Sequence, residues 1–262
     1  MDLPVLLLSG AVAGTLAGLL GIGGGVIIVP IVTLLFEGHG VPHGTAIKLA
    51  LGTSLATIVV TAVSSIYTHH RKGAVDWKLF GVMGPAVFVG SLIGALLADI
   101  IPGEVLYIAF IAFLFVISVQ MAMSRVSAHR SLPGSPALAA TAVAVGVVSA
   151  LLGLGGGAMQ VPLLSSGGVP VTRAIATAAA VGLPLALSAT AGYIIGGLNE
   201  ADTPPGSIGY VNLPVFGGVV AASLLFAPFG ATLAHKLPDL LLRRLFAIFL
   251  FVLASRMAYK LF

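Results

Sequence analysis

One glycine-rich stretch occurs twice in this chain and limits what the chain can fold into. The first copy occupies residues 18–25 and the second occupies residues 150–157, and a Val-Pro pair follows each at the same distance. Across residues 14–30, nine of the 17 positions match the sequence 132 residues later. Each run has four glycines within five residues, and each glycine in a helix interior costs roughly 1 kcal/mol relative to alanine. Both runs therefore predict a break between helices.

The composition places these breaks inside a membrane. The chain has 262 residues, of which 58% are hydrophobic and only 8% are charged, whereas soluble domains carry about 25% charged residues. Several apolar stretches reach the ~20 residues that cross a bilayer as a helix. The net charge is +4, but the basic residues lie in short loops between apolar segments, so we expect a lipid environment and no nucleic-acid partner.

We predict an all-α polytopic membrane protein with two repeats of four helical segments, the first segment of each repeat broken or re-entrant at its glycine run. The first repeat covers residues 1–124, a cytoplasmic linker covers residues 125–136, and the second repeat covers residues 137–262. A second constant offset supports this division, because residues 73–122 match the sequence 136 positions later at many places, Gly73 with Gly209 among them. Internal duplication of this kind is typical of secondary transporters.

Loop charges predict that the two repeats have opposite orientations. The loop after the second segment is basic in the first half, with Arg71 and Lys72, whereas its counterpart carries Glu200 and Asp202. If each glycine-broken segment enters and leaves on one side, nine of the twelve Lys and Arg residues lie in the cytoplasm. That distribution agrees with the positive-inside rule. We therefore expect re-entrant first segments and both termini outside.

The glycine breaks also predict a binding site for an anion. Non-helical backbone at membrane depth is tolerated only where it is buried in protein or lines a cavity, and the half-helix after each break directs its N–H groups at the break. We expect two such sites to meet near the midplane, helped by the side chains of Lys48, Thr53, Ser54 and Gln160. The glycines of this predicted site are Gly21, Gly23, Gly24, Gly25, Gly153, Gly155, Gly156 and Gly157.

Each of these residues also has a purely structural interpretation. The glycines could serve only to let helices pack closely, and Lys48 could extend to the outer membrane interface. Thr53 and Ser54 could bond back to their own helix. For Gln160 the functional interpretation is stronger, because an amide in an apolar segment is costly unless it is paired.

The sequence shows no recognisable catalytic or metal site. His39 and His43 have helical spacing, but a glycine and a proline between them interrupt any helix, and no third ligand is near. No G-x-S-x-G, H-E-x-x-H or Walker A motif occurs, and the absence of cysteine excludes disulfides and thiol chemistry. We therefore expect a protein that is not an enzyme and binds no cofactor or metal.

The two glycine runs with their Val-Pro pairs, together with residues 46–54, resemble the TauE/SafE family, also called the sulfite exporter or TSUP family. The resemblance covers essentially the whole chain, including its length and duplication. It implies a prokaryotic inner-membrane carrier for sulfite, sulfonates, other sulfur oxyanions or small organic carboxylates. One departure is residues 176–182, which lack a Thr-Ser pair like Thr53-Ser54.

Together these observations predict a secondary transporter that exports small anions such as sulfite or sulfonates by alternating access. No ATP-binding motif occurs, so transport would be coupled to a proton, to sodium or to the membrane potential. Three alternatives stay open: a carrier of small organic carboxylates, a channel, and a non-transport membrane subunit or assembly partner whose glycines only pack helices.

Overall fold

The computed structural model describes residues 8, 10–12, 14–15, 24–123, 132–234 and 239–261. Most of the first glycine run and most of the predicted linker lie outside these residues. Within the described residues, regular structure is almost entirely α-helical, and the only sheet is a two-stranded hairpin. The prediction of an all-α membrane protein is confirmed.

The predicted apolar segments form helices. The helices are α1 (Gly25–Gly38), α2 (His43–Arg71), α3 (Trp77–Ile100), α4 (Gly103–Met123), α5 (Ser135–Leu151), α6 (Gly157–Ser166), α7 (Val171–Gly196), α8 (Leu213–Ala234) and α9 (Asp239–Leu261). After α7 the chain forms a short 3₁₀ turn (Gly197–Asn199) and a hairpin of β1 (Ser207–Ile208) and β2 (Val211–Asn212). In the described part of the chain, four helices are long and apolar enough to cross a bilayer, and these are α2, α3, α4 and α7.

The core forms where α3 packs against both α5 and α7, and where α2 packs against α7. Small residues let these helices approach closely. A Cβ atom on Gly94 of α3 would lie 2.9 Å from the Val147 Cα of α5, so only glycine fits there without a shift. Close backbone approach compensates for the weak hydrophobic drive between helices in lipid.

The second glycine run breaks its segment as predicted. α5 ends in a Schellman turn, in which the Leu154 N–H donates to the Ser149 carbonyl at 2.8 Å and Gly153 has φ +62°. Residues 152–156 are not helical, and α6 then begins. Gly167, just after α6, lies against the side chain of Leu132, just before α5. The two arms therefore begin and end close together, as the arms of a re-entrant segment would.

Two turn structures recur at matching places in the two halves. Gly40 (φ +83°) and Gly168 (φ +85°) each follow a half-helix, and each precedes a Val-Pro pair that leads into α2 or α7. Asp76 and Asn212, 136 residues apart, each cap the helix that follows. The Asp76 carboxylate accepts bonds from the first turn of α3, and Asn212 Oδ1 accepts one from the Val215 N–H at 3.1 Å.

Each of these capping residues donates a backbone hydrogen bond to a helix of the other half of the chain. The Asn212 N–H donates to Thr53 Oγ1 of α2 at 3.0 Å, and the Asp76 N–H donates to Thr177 Oγ1 of α7 at 3.0 Å. Arg173, one turn before Thr177, lies 3.5 Å from the Asp76 carboxylate. Each half therefore holds the start of a helix that belongs to the other half.

Candidate functional site

The last residue of the first glycine run, Gly25, lies against the second run inside the helix core. A Cβ atom on Gly25 would lie 2.6 Å from the Gly153 carbonyl oxygen and 3.2 Å from Leu154 Cα. The Ser54 hydroxyl donates to the same carbonyl at 3.1 Å. Ser54 is eleven residues into α2, or about 16 Å from His43 at 1.5 Å per residue. Measured from the start of α2, this distance is about half of a bilayer core of roughly 30 Å.

Only the end of the first run falls within the described residues. Gly24, with φ +74°, is buried and precedes α1, and Gly25 is the first residue of that helix. A left-handed conformation at the start of a half-helix favours glycine, which adopts it without steric cost. Gly21 and Gly23 lie outside the described residues.

The start of α6 is a helix N-terminus whose first backbone donors have no partner among the described residues. Gly155 and Gly156 are buried, and the N–H groups of Gly155, Gly156 and Gly157 donate to no described residue. The first N–H groups of any helix lack an intrahelical partner and carry partial positive charge. Buried donors of this kind need a partner, and a bound anion can supply one.

Gln160 lies one turn into α6 and strengthens this interpretation. Its side chain is 0% exposed, yet within the described structure neither Nε2 nor Oε1 has a hydrogen-bond partner. The amide is turned toward the start of the helix, because a Cβ atom on Gly156 would lie 3.0 Å from Gln160 Oε1. An unpaired buried amide costs about 1–3 kcal/mol, so the protein retains a cost here that a bound ligand would remove.

α7 forms the wall facing the start of α6. A Cβ atom on Gly156 would lie 2.7 Å from the Ala178 carbonyl oxygen and 3.0 Å from Gly182 Cα. This is the region that lacks a Thr-Ser pair, and its one hydroxyl, on Thr177, accepts the hydrogen bond from Asp76. The small side chains of α7 therefore serve close approach here, and the unpaired polar groups come from α6.

The predicted polar residues of α2 are divided between this centre and one end of the molecule. Ser54 contacts the glycine run, whereas Thr53 accepts the hydrogen bond from Asn212. Lys48 Nζ donates to the Asp99 carbonyl at 2.8 Å and lies 5.4 Å from the centroid of the Tyr210 ring. Its ammonium is thus bound at the C-terminal end of α3.

A polar cluster beside Lys48 joins the two halves, and the sequence did not predict it. The Tyr210 hydroxyl lies 3.3 Å from Asp99 Oδ1 and 3.0 Å from Glu200 Oε2. Burial, and then the hydrogen bond to Glu200, raise the pKa of Tyr210 above its ordinary value, so the phenol keeps its single proton. The only sequence signal was the acidic loop that carries Glu200, and it did not indicate a contact with Tyr210 or Asp99.

The histidines near the end of α1 take part in local contacts. His43 Nδ1 lies 2.8 Å from Glu37 Oε1, and Lys260 Nζ lies 3.0 Å from Glu37 Oε2. His39 Nδ1 lies 2.8 Å from the Leu35 carbonyl oxygen. Among the described residues, no three metal-ligating side chains are grouped so that they could hold an ion.

Comparisons with known proteins agree with a membrane transporter. Residues 6–257 match the family model described as "Sulfite exporter TauE/SafE". A probable membrane transporter protein of Haemophilus influenzae is 34% identical over 97% of both chains. A probable membrane transporter protein of Methanocaldococcus jannaschii is 33% identical over 81% of this chain and 79% of its own. No solved structure matches the chain. Because the family match spans nearly all residues, the chain belongs to the TauE/SafE sulfite exporter family of multi-pass membrane transporters.

Proposed function

We propose that this protein is a secondary transporter that exports small anions, such as sulfite, sulfonates or related sulfur oxyanions, across the cell inner membrane by alternating access. The observation that carries the proposal is the buried Gln160 amide. Among the described residues its two polar atoms have no hydrogen-bond partner, and neither do the neighbouring N–H groups of residues 155–157. The family's description supports sulfur oxyanions as the first substrates to test. Small organic carboxylates present the same oxygen acceptors and form the second class.

Binding at this site uses dipoles and not a full positive charge. The N–H groups at the start of α6 donate to oxygen atoms of the anion, and the Gln160 amide adds a further donor. Lys48 is bound to Asp99 and Tyr210, so the helix N-terminus supplies the favourable potential. A small monoanion fits such a site better than a multiply charged anion, because a helix N-terminus carries only about half an elementary positive charge.

We further infer that residues 1–124 and 137–262 are inverted repeats joined by the linker 125–136. The matched turns at Gly40 and Gly168 support this inference. So do the hydrogen bonds that Asp76 and Asn212 donate to the opposite half. In an inverted pair the two breaks face each other across the midplane, which is where carriers of this type bind substrate.

Contacts between the halves near the two ends of α2 provide the means to open one side at a time. Near the N-terminal end of α2, Lys48 and Tyr210 bring the halves together. Beyond its C-terminal end, Asp76 meets Thr177 and Arg173 of α7. Alternating access follows if one set of contacts breaks while the other holds.

Export of an anion needs no coupling ion in this scheme. A membrane potential that is negative inside favours the exit of a monoanion by ~2.3 kcal/mol per 100 mV. A proton or sodium ion would be needed only to move the anion inward or against a steeper gradient.

The proposal is tested by efflux from liposomes that contain the purified protein. Vesicles are loaded with radiolabelled sulfite, a small sulfonate or acetate, and efflux is measured against concentration. We expect saturable efflux of at least one anion and its loss in Gln160→Glu, because a carboxylate would repel the substrate. Gln120→Glu, on the exposed part of α4, is the matched control and should export normally.

Three outcomes count against the proposal. If no anion leaves the vesicles, the chain is a subunit or assembly partner. If flux does not saturate, it is a channel. If Gln160→Glu exports as fast as the unmodified protein, the site lies elsewhere.

A further inference from the structure

An apolar groove opens beside the C-terminal half of α2, far along the helix from Lys48. Its volume is about 330 Å³, and its lining residues are Val63, Ile66, Tyr67, His70, Trp77 and Leu183. Three of these side chains are strongly exposed, at 55% for Val63, 64% for Tyr67 and 47% for Trp77. In a membrane protein, apolar side chains with this exposure face lipid. The groove is therefore open to the bilayer.

Positive charge lies at one end of this groove. The Arg71 guanidinium lies 5.7 Å from the centroid of the Tyr67 ring, and Tyr67 lines the groove. Lys72 follows at the end of α2, and both basic side chains are exposed. Within the described residues neither has an ion pair, because the nearby Asp76 is paired with Arg173 and caps α3. The end of α2 beside the groove thus carries two exposed basic side chains that have no ion pair among the described residues.

We propose that this groove binds one anionic phospholipid, with an acyl chain along the apolar lining and the headgroup phosphate on Arg71 and Lys72. From Val63 to Arg71 the groove follows eight residues of α2, or about 12 Å, which is long enough to hold the upper part of an acyl chain. Trp77 and Tyr67 lie where aromatic side chains mark the headgroup level. Basic residues at that level select anionic over zwitterionic lipids.

The neighbouring charges decide between a lipid and a protein occupant. A second helix docked here would cover Arg71 and Lys72 and would need acidic residues to pair with them. An anionic lipid places its phosphate at the same height as the two cations and leaves the exposed side of the groove to other lipids. The proposal concerns the membrane face of α2 and does not depend on which anion is transported.

Trp77 allows a direct test because it is the only tryptophan in the chain. Its fluorescence is measured in nanodiscs containing increasing fractions of phosphatidylglycerol with brominated acyl chains, which quench indole on contact. Parallel titrations use phosphatidylcholine with the same brominated chains. We expect half-maximal quenching at a roughly 10- to 30-fold lower fraction of phosphatidylglycerol, since two basic residues each favour the anionic surface. The preference should shrink at high salt.

Two variants complete the test. Arg71→Gln combined with Lys72→Gln should shift the phosphatidylglycerol curve onto the phosphatidylcholine curve. Arg256→Gln, an exposed basic position on α9, is the control and should keep the full preference. The proposal is overturned if both lipids quench alike in the unmodified protein, if neither quenches, or if the double variant keeps its preference. All variants change exposed side chains, and equal emission maxima without bromine verify that Trp77 is undisturbed.

Discussion

Replacing Gln160 by methionine separates a ligand-binding role from a packing role, because the two roles predict opposite changes in stability. The side chain is fully buried, and its amide has no partner in the described structure. If the amide serves to bind substrate, the ligand-free protein is less stable than a variant with an apolar side chain at this position. If it makes a structural contact, removing it should lower stability.

The size of the effect follows from the unpaired atoms. Relieving an unsatisfied buried amide is worth about 1–3 kcal/mol, and a swap that conserves volume costs less than about 1.5 kcal/mol. We therefore expect Gln160→Met to raise the free energy of unfolding by about 1–2 kcal/mol. At about 2–4 °C per kcal/mol for a chain of roughly this length, the Tm should rise by about 2–8 °C.

Transport should change in the opposite direction. A hydrogen bond to a charged ligand contributes about 1.5–3 kcal/mol, so its loss should weaken anion binding by about 10- to 100-fold. The assay pairs thermal unfolding of the detergent-solubilised protein with sulfite efflux from liposomes. Gln120→Met, the same chemical change at an exposed position, should alter neither quantity. Normal efflux in Gln160→Met, at any Tm, would refute the reasoning.

Three further substitutions test the packing and the contacts between halves. Gly156→Leu should abolish transport and lower the free energy of unfolding by about 1–3 kcal/mol, because its Cβ atom would lie 2.7 Å from the Ala178 carbonyl oxygen. Gly134→Leu is the control and should be tolerated, because no atom lies within 4 Å of a Cβ atom at that position. Equal losses of Tm in the two variants would contradict the close packing of Gly156 against α7. Tyr210→Phe removes a hydroxyl shared by two carboxylates, so we expect the free energy of unfolding to fall by about 1–3 kcal/mol. An unchanged Tm would show that this cluster does not hold the two halves together. Asn212→Ala should cost about 1 kcal/mol by removing the cap of α8, whereas Asn212→Asp should restore it.

Local sequence patterns predicted which segments are helical and where they break. Apolar runs of bilayer length predicted α2, α3, α4 and α7, and the glycines predicted the break after α5. Gln160 was identified as a candidate because an amide in an apolar segment is costly. Such predictions succeed because helix formation, helix breaking and desolvation depend on near neighbours in the chain.

The sequence did not predict the hydrogen-bond partners of the polar side chains. The sequence placed Lys48, Thr53 and Ser54 together on one helix, but the structure divides them among Asp99, Asn212 and Gly153. Nothing in the sequence indicated the Tyr210 cluster as a connection between the halves. Apolar membrane helices of similar composition can pack in many pairs, so local pattern does not specify which faces meet.

The sequence by itself determined that this chain is built from apolar segments of membrane length, that two glycine runs interrupt those segments, and that an amide, Gln160, follows the second run. Only the tertiary structure decided that Gly25 meets Gly153 and that Gln160 is left without a partner among the described residues. The physical reason is that a break or a buried amide is a property of one segment. Whether its hydrogen bonds are satisfied depends on every helix that packs around it.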